Sequence, residues 1–276
     1  MESKQGIQSV EVAAPILRSL ADANGPLPLS LIAKNAGMPA AKAHRYLVSL
    51  IRVGLVEQDA ASGLYDLGAM ALELGLAALG RMDGLKLADE ALASLREATG
   101  ETVALATWGN FGPTYIRLLQ SRRAITVNLQ IGSVMPLTYT ASGLCFAAFM
   151  PAAETQMLLN NELARNALEN IDAPHDAASL QPLLDETRAH QMARVIGKLD
   201  PASARIAPNR IAERLLAGFH AFSAPVFNHV GQMQFALTVV GAAAHISAEW
   251  DGEIAQATHR HAQALSKRLG WRAEGI

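Results

Sequence analysis

The sequence predicts a two-domain α+β protein, with a helical N-terminal domain ending in a short hairpin and a larger mixed domain built around an antiparallel sheet. Three observations predict it. Residues 1–67 hold three helical segments and then two short alternating runs. Residues 68–83 form a linker helix whose first part, GAMALELGLAALG, is almost free of charge. In residues 84–276 strand-like runs come early, give way to helices and then resume.

In the first domain, Val10, Ala13, Ala14, Leu17 and Leu20 recur at helical spacing, and the stripe stops at Asn24-Gly25-Pro26. LSLIAKNAG reads as a short second helix, with Gly37 placed to close it in a left-handed conformation. Pro39 starts the third, AKAHRYLVSLIR, because the first turn does not use the missing N–H. GLVEQDAASGLYDLG then alternates around an Ala-Ser-Gly tip, which predicts a two-stranded wing. The Ala/Leu helix after it is apolar enough to bury itself against a partner.

The second domain opens with a helix over 85–99, ended by Gly100. ETVALATWG and GPTYIRLLQS are strand-like runs, and TVNLQIG is a third. TASGLCFAAFM reads as a helix stopped by Pro151, followed by helices in ETQMLLNNELA and SLQPLLDETRAH. AFSAPVFN and MQFALTVVG are strands, and 247–269 is a closing helix.

Composition bounds the function. Half of the 276 residues are hydrophobic, few are aromatic, and the formal net charge is −2, which argues against wholesale binding to nucleic acid or anionic membrane. The single cysteine, Cys145, excludes an internal disulfide framework and a cysteine-rich zinc module. MESKQGIQSV lacks a signal-type apolar core, and the longest apolar runs fall short of the ~20 residues needed to span a bilayer. A cytoplasmic protein with no membrane partner is expected. Phosphate loops and dinucleotide fingerprints are absent, and His259 and His261 point to different helix faces, so no cofactor or metal is expected.

The net charge conceals segregation. From Ala23 to Val56 every charged residue is basic, namely Lys34, Lys42, Arg45 and Arg52; Glu11, Asp22, Glu57, Asp59 and Asp66 lie outside. Lys42, Arg45, Ser49 and Arg52 fall within a stripe about 80° wide on the third helix, opposite Ala43, Leu47 and Leu50. Helix, short helix, glycine turn, basic helix and wing is the winged helix-turn-helix order, in which the third helix enters the major groove. Lys42 and Arg45 are candidates for phosphate or guanine contact, His44 for a base edge and Arg52 for the backbone, with Ser49 a further candidate for DNA contact on the same stripe. The alternatives are a solvated basic face, with Arg45 paired inside the domain, or a sensor module whose winged helix binds protein.

Residues 9–68 resemble the DNA-binding domain of the IclR family of bacterial transcriptional regulators, through SVEVAAPILRSLADANGPLPLSLIAKNAGMPAAKAHRYLVSLIRVGLVEQ and YDLG. The resemblance continues through TGETVALATWG, MPLTYTASG and FSAPVFN…GQMQFALTVVG, covering nearly the whole chain. It implies a winged helix-turn-helix domain and an α/β GAF-like effector domain with an antiparallel sheet. It also implies a homodimer or homotetramer on double-stranded operator DNA, and a small organic acid as effector. A dimer presents two recognition helices, so a pseudo-palindromic operator is expected. Ala40 and Ala41 depart from the Ser/Thr-rich start of the family's recognition helix and leave contact with a thymine methyl open.

Carried over residue by residue, the resemblance lines the effector pocket with Leu137, Tyr139, Ser142 and Gly143, facing Ala221, Ser223, Thr238 and Val240. The residues before Ala141 independently suit a carboxylate, since a helix N-terminus presents backbone N–H groups and a positive dipole end; simple capping by Thr138 or Thr140 is the alternative. Arg205, Arg210 and Arg214 occupy a segment where the family often has an acid and a glycine; Arg205 is the candidate anchor for an acidic effector, against a solvated basic loop. The rival class is an enzyme with acyl or hydrolytic chemistry near Ser142 and Cys145. Neither G-x-S-x-G nor triad spacing supports it, so no enzymatic activity is expected.

Overall fold

The computed structural model describes residues 6–23, 25–80, 83–121, 129–169, 171–197 and 218–272, which divide into two compact units between Met82 and Asp83.

In the first unit, α1 (Gln8–Ala21), α2 (Leu29–Asn35) and α3 (Ala40–Arg52) precede a hairpin of β1 (Val56–Gln58) and β2 (Tyr65–Leu67). Gly37 has φ 64° and closes α2, while Pro39 is the extended residue just before α3. Leu27 exchanges both backbone hydrogen bonds with Tyr65, tying the α1–α2 connection to the wing. Ile16, Leu20, Ile32, Leu47, Leu50, Val56 and Tyr65 form the core. The expected α1 stripe is displaced toward the C-terminal turns. Val10 is 66% exposed and Ala14 is also exposed, while Ala13, Ile16, Leu17 and Leu20 pack inward, because the first turn extends past the core.

α4 (Ala69–Gly80) completes this unit. Its Leu72, Leu74 and Leu76 are 64%, 53% and 59% exposed, so the apolar surface expected to meet a partner is open within a single chain.

The second unit begins with α5 (Gly84–Thr99), capped by the Asp83 carboxylate and closed by Gly100 at φ 71°. The strands β3 (Thr102–Gly109), β4 (Gly112–Leu119), β5 (Ala193–Ile196), β6 (Phe219–Phe227) and β7 (Met233–Ala242) form one antiparallel sheet in the order β4-β3-β7-β6-β5. α6 (Ala141–Phe149) packs on one face, with α7 (Ala152–Glu169) and α8 (Ala177–Ala189) against it. α5 and the closing helix α9 (Glu253–Arg268) pack against the sheet strands and each other. Ala104, Ala106, Ala221, Ala236 and Val240 share the α6-side core, whereas the alternating Val103, Leu105, Phe222, Leu237 and Val239 point the other way.

Two elements differ from expectation. Residues 126–128 of TVNLQIG lie outside the described residues, and Leu129–Gly132 form no strand; nearby, Val134 makes an isolated bridge to Thr114. β5 was not expected, since four residues at a sheet edge leave almost no alternation to detect. No described helix is long and apolar enough to cross a membrane.

Candidate functional site

α3 buries Ala43, Leu47 and Leu50 and exposes Lys42, His44, Arg45, Ser49 and Arg52. Arg45 and Arg52 lie opposite the buried face, with Lys42 and His44 on its flanks. Among the described residues, none of Lys34, Lys42, Arg45 and Arg52 pairs with a carboxylate, so the internal ion pair considered for Arg45 is not formed. The Ser49 hydroxyl donates to the Arg45 carbonyl, a bond within its own helix. The hairpin carries only acids: Glu57, Asp59 and Asp66. Attraction for phosphate is therefore concentrated on α2 and α3.

In the second unit the sheet supplies the register. Ser223 lies directly across from Thr238, and Ala221 across from Val240, so these four predicted residues form two adjacent cross-strand pairs on one face. The Ser223 and Thr238 hydroxyls are 2.8 Å apart. Tyr115 on β4 brings its phenol 3.3 Å from the Ser142 hydroxyl of α6 with Thr238 beside it, and Ser223 lies beside the Cys145 thiol. All five side chains are buried. Burial pushes the Tyr115 phenol up, with its two hydroxyl partners opposing; burial likewise pushes the Cys145 thiol up, with Ser223 opposing. The result is a neutral cluster of hydroxyl groups that both donate and accept.

The loop before α6 serves a different surface. Thr140 caps α6 by accepting from the Gly143 N–H at 3.0 Å, and its own hydroxyl donates to the Pro136 carbonyl at 2.6 Å. A Cβ on Gly143 would lie 1.9 Å from that same carbonyl oxygen, so the glycine allows the loop to fold onto the helix. The backbone N–H groups of Leu137 and Thr138 are not free: they donate to Glu162 of α7 at 2.9 and 3.0 Å. Tyr139 is half-buried near the same helix. Burial raises its phenol first, Glu162 and Glu169 add to the rise, and Arg165 opposes it.

The predicted effector residues therefore separate. Ser142 on α6 meets the sheet face that carries Ser223, Thr238, Ala221 and Val240, and the buried Leu137 shares that core while also edging a surface groove beside α7, where Tyr139 lies. Arg205, with Arg210 and Arg214, lies outside the described residues. Sequence reasoning missed Tyr115 and Glu162. The only local signal for Tyr115 was a lone tyrosine in a buried strand run, whose hydroxyl needs a partner. Among the described residues, no group of three His, Cys, Asp or Glu side chains could hold a metal.

Comparison with known proteins accounts for both units. The family model of the IclR helix-turn-helix domain matches residues 9–60, and that of the bacterial transcriptional regulator IclR C-terminal domain matches residues 76–195. The glycerol operon regulatory protein of Streptomyces coelicolor is 31% identical over 271 residues, spanning 96% of this chain and 98% of its own length. Its namesake from Streptomyces griseus is 33% identical over 80% of this chain and 86% of its own. The crystal structure of Pseudomonas aeruginosa HmgR superposes with a TM-score of 0.78 at 39% identity, covering 96% of this chain and 99% of that one. The repressor BlcR of Agobacterium tumefaciens shares the fold, with a TM-score of 0.73 at 20% identity over 98% of this chain and 100% of its own. With relatives matching end to end and both family domains in sequence order, the chain belongs to the IclR family of transcriptional regulators, which joins a helix-turn-helix DNA-binding domain to a distinct C-terminal domain.

Proposed function

We propose that this regulator binds operator DNA through α3 and responds to a small organic or aromatic acid bound on the α6 side of the second unit's sheet. The observation that carries the DNA reading is the exposed cation stripe of Lys42, Arg45 and Arg52, which pairs with no carboxylate among the described residues. Lys42 and Arg45 reach phosphate or guanine, His44 a base edge, and Arg52, with Ser49, the backbone. The open leucines of α4 support a homodimer or homotetramer, in which two recognition helices address a pseudo-palindrome.

Support for the effector reading comes from the hydroxyls of Tyr115, Ser142, Ser223 and Thr238 above a floor of alanines. Such a set recognises the carboxyl or hydroxyl oxygens of a small acid, with Arg205 as a candidate counter-charge. The acid acts by population shift, favouring one arrangement of the dimer and so changing the spacing of the two α3 helices through α4. Cys145 favours this binding reading over the enzyme: a buried thiol with a raised pKa is a poor source of thiolate. Ser142 meets a phenol where a nucleophile requires a base.

Fluorescence anisotropy on non-specific duplex DNA at two salt concentrations tests the first half. Affinity should fall with salt, and Lys42→Ala with Arg45→Ala should flatten that slope by about 0.9 per lost phosphate contact. A flat slope in the parent protein sinks the DNA assignment. A thermal-shift screen of small organic acids tests the second half, with Thr238→Val expected to remove the response; no stabilising acid would overturn it.

A further inference from the structure

We propose that the loop Pro136–Thr138 is a second carboxylate-binding cradle, closed by Glu162, which accepts in its place a monocarboxylate whose apolar body lies in the adjoining groove. This goes beyond the effector reading, since the cradle faces α7 and none of the buried hydroxyl cluster takes part in it.

Three donors converge on one carboxylate. The Leu137 N–H meets Glu162 Oε2 at 2.9 Å, while the Thr138 N–H and hydroxyl meet Oε1 at 3.0 and 2.6 Å. Asn166, fully buried one turn further along α7, donates to Thr138 Oγ1 at 2.9 Å and to the Pro174 carbonyl at 2.8 Å. Thr138 Oγ1 therefore accepts from Asn166 and is left to donate toward Glu162, so the donor side is fixed by the fold. The acceptor is different in kind: it is the end of a side chain with three rotatable bonds. Any carboxylate that reaches the same place satisfies the same three donors.

The cradle opens on a groove of about 440 Å³, within the roughly 300–1,000 Å³ usual for small-molecule sites. Leu137 and Glu162 belong to its lining, Phe111, Val134 and Leu158 supply apolar wall, and Arg165 adds a cation to it. Phe111 is 78% exposed, an aromatic surface left for a ligand to cover. Arg165 follows Glu162 by three positions on α7 and has no carboxylate partner among the described residues. It supplies the destination for the displaced side chain, because residues at i and i+3 meet on a helix surface. In the exchange, the incoming carboxylate takes the three donors and Glu162 turns to Arg165, leaving both anions partnered.

Chemical rescue tests this with the full-length protein. Glu162→Ala should lower the melting temperature, and 3-phenylpropionate should restore it with saturation, binding at least about tenfold more tightly than to the parent protein. Propionate should restore it less, and 3-phenylpropanamide not at all. Rescue by the amide as well as the acid would overturn the carboxylate assignment, and equal rescue by propionate would overturn the groove. Should Glu162→Ala not fold, amide NMR shifts of Leu137 and Thr138 in the parent protein, titrated with 3-phenylpropionate, decide the matter. Saturable shifts that weaken in Arg165→Ala support the exchange; no shift overturns it.

Discussion

The Ser223 and Thr238 hydroxyls face each other 2.8 Å apart across β6 and β7, both sealed from solvent. Ser223→Ala leaves the buried Thr238 hydroxyl without this partner, and about 1–3 kcal/mol of stability is expected to go. Thr238→Val keeps the shape and does the same to Ser223, at a similar cost. Denaturant unfolding of the two variants and the double mutant measures the coupling; strictly additive losses would show that the pair does not act as a unit.

Gly143 offers a sharper steric test. An alanine there would bring its Cβ to 1.9 Å from the Pro136 carbonyl oxygen and 2.7 Å from the Leu137 Cα, and backbone on both sides must move. Gly143→Ala should therefore lose about 1–3 kcal/mol and weaken the Thr140 cap. Unchanged melting would mean that the loop yields freely, which the Glu162 bonds oppose.

These two sites show what the sequence could disclose. The helix-turn-helix was legible because its signals are local: a closing glycine at Gly37, a proline before α3, and apolar spacing inside one helix. Even there the first stripe included Val10, which is exposed, and omitted Ile16, which is fully buried, since spacing alone does not say where the core begins. The face shared by Ser223 and Thr238 followed from alternation once the resemblance named them. Tyr115 and Glu162 could not follow, because their partners lie 27 and 24–25 residues away and depend on how α6 and α7 fold back. β5 was hidden by its four-residue length.

α4 presents Leu72, Leu74 and Leu76 to solvent in the single chain, a surface that isolated subunits rarely retain. Leu72→Glu combined with Leu76→Glu should reduce the particle mass in sedimentation velocity while leaving helix content unchanged. Operator affinity should fall with it, by about 10²–10⁴-fold if two recognition helices bind together. An unaltered particle mass would assign assembly to another surface.

His259 makes a prediction about pH. Partial burial holds its imidazole below the ordinary histidine value, with a hydrogen bond to the Gln191 backbone opposing. Its Nε2 also lies 2.8 Å from Gln263 Nε2, so in the neutral ring it accepts from that amide. Protonation sets two donors face to face until Gln263 turns. The unfolded chain, with a pKa of about 6.5, then binds a proton that the folded protein resists. This contribution to stability is complete above the unfolded value, declines as pH falls through it, and levels off below the folded pKa. Melting temperatures between pH 7.5 and 5 should therefore drop less steeply in His259→Gln than in the parent protein; parallel curves would place the acid sensitivity elsewhere.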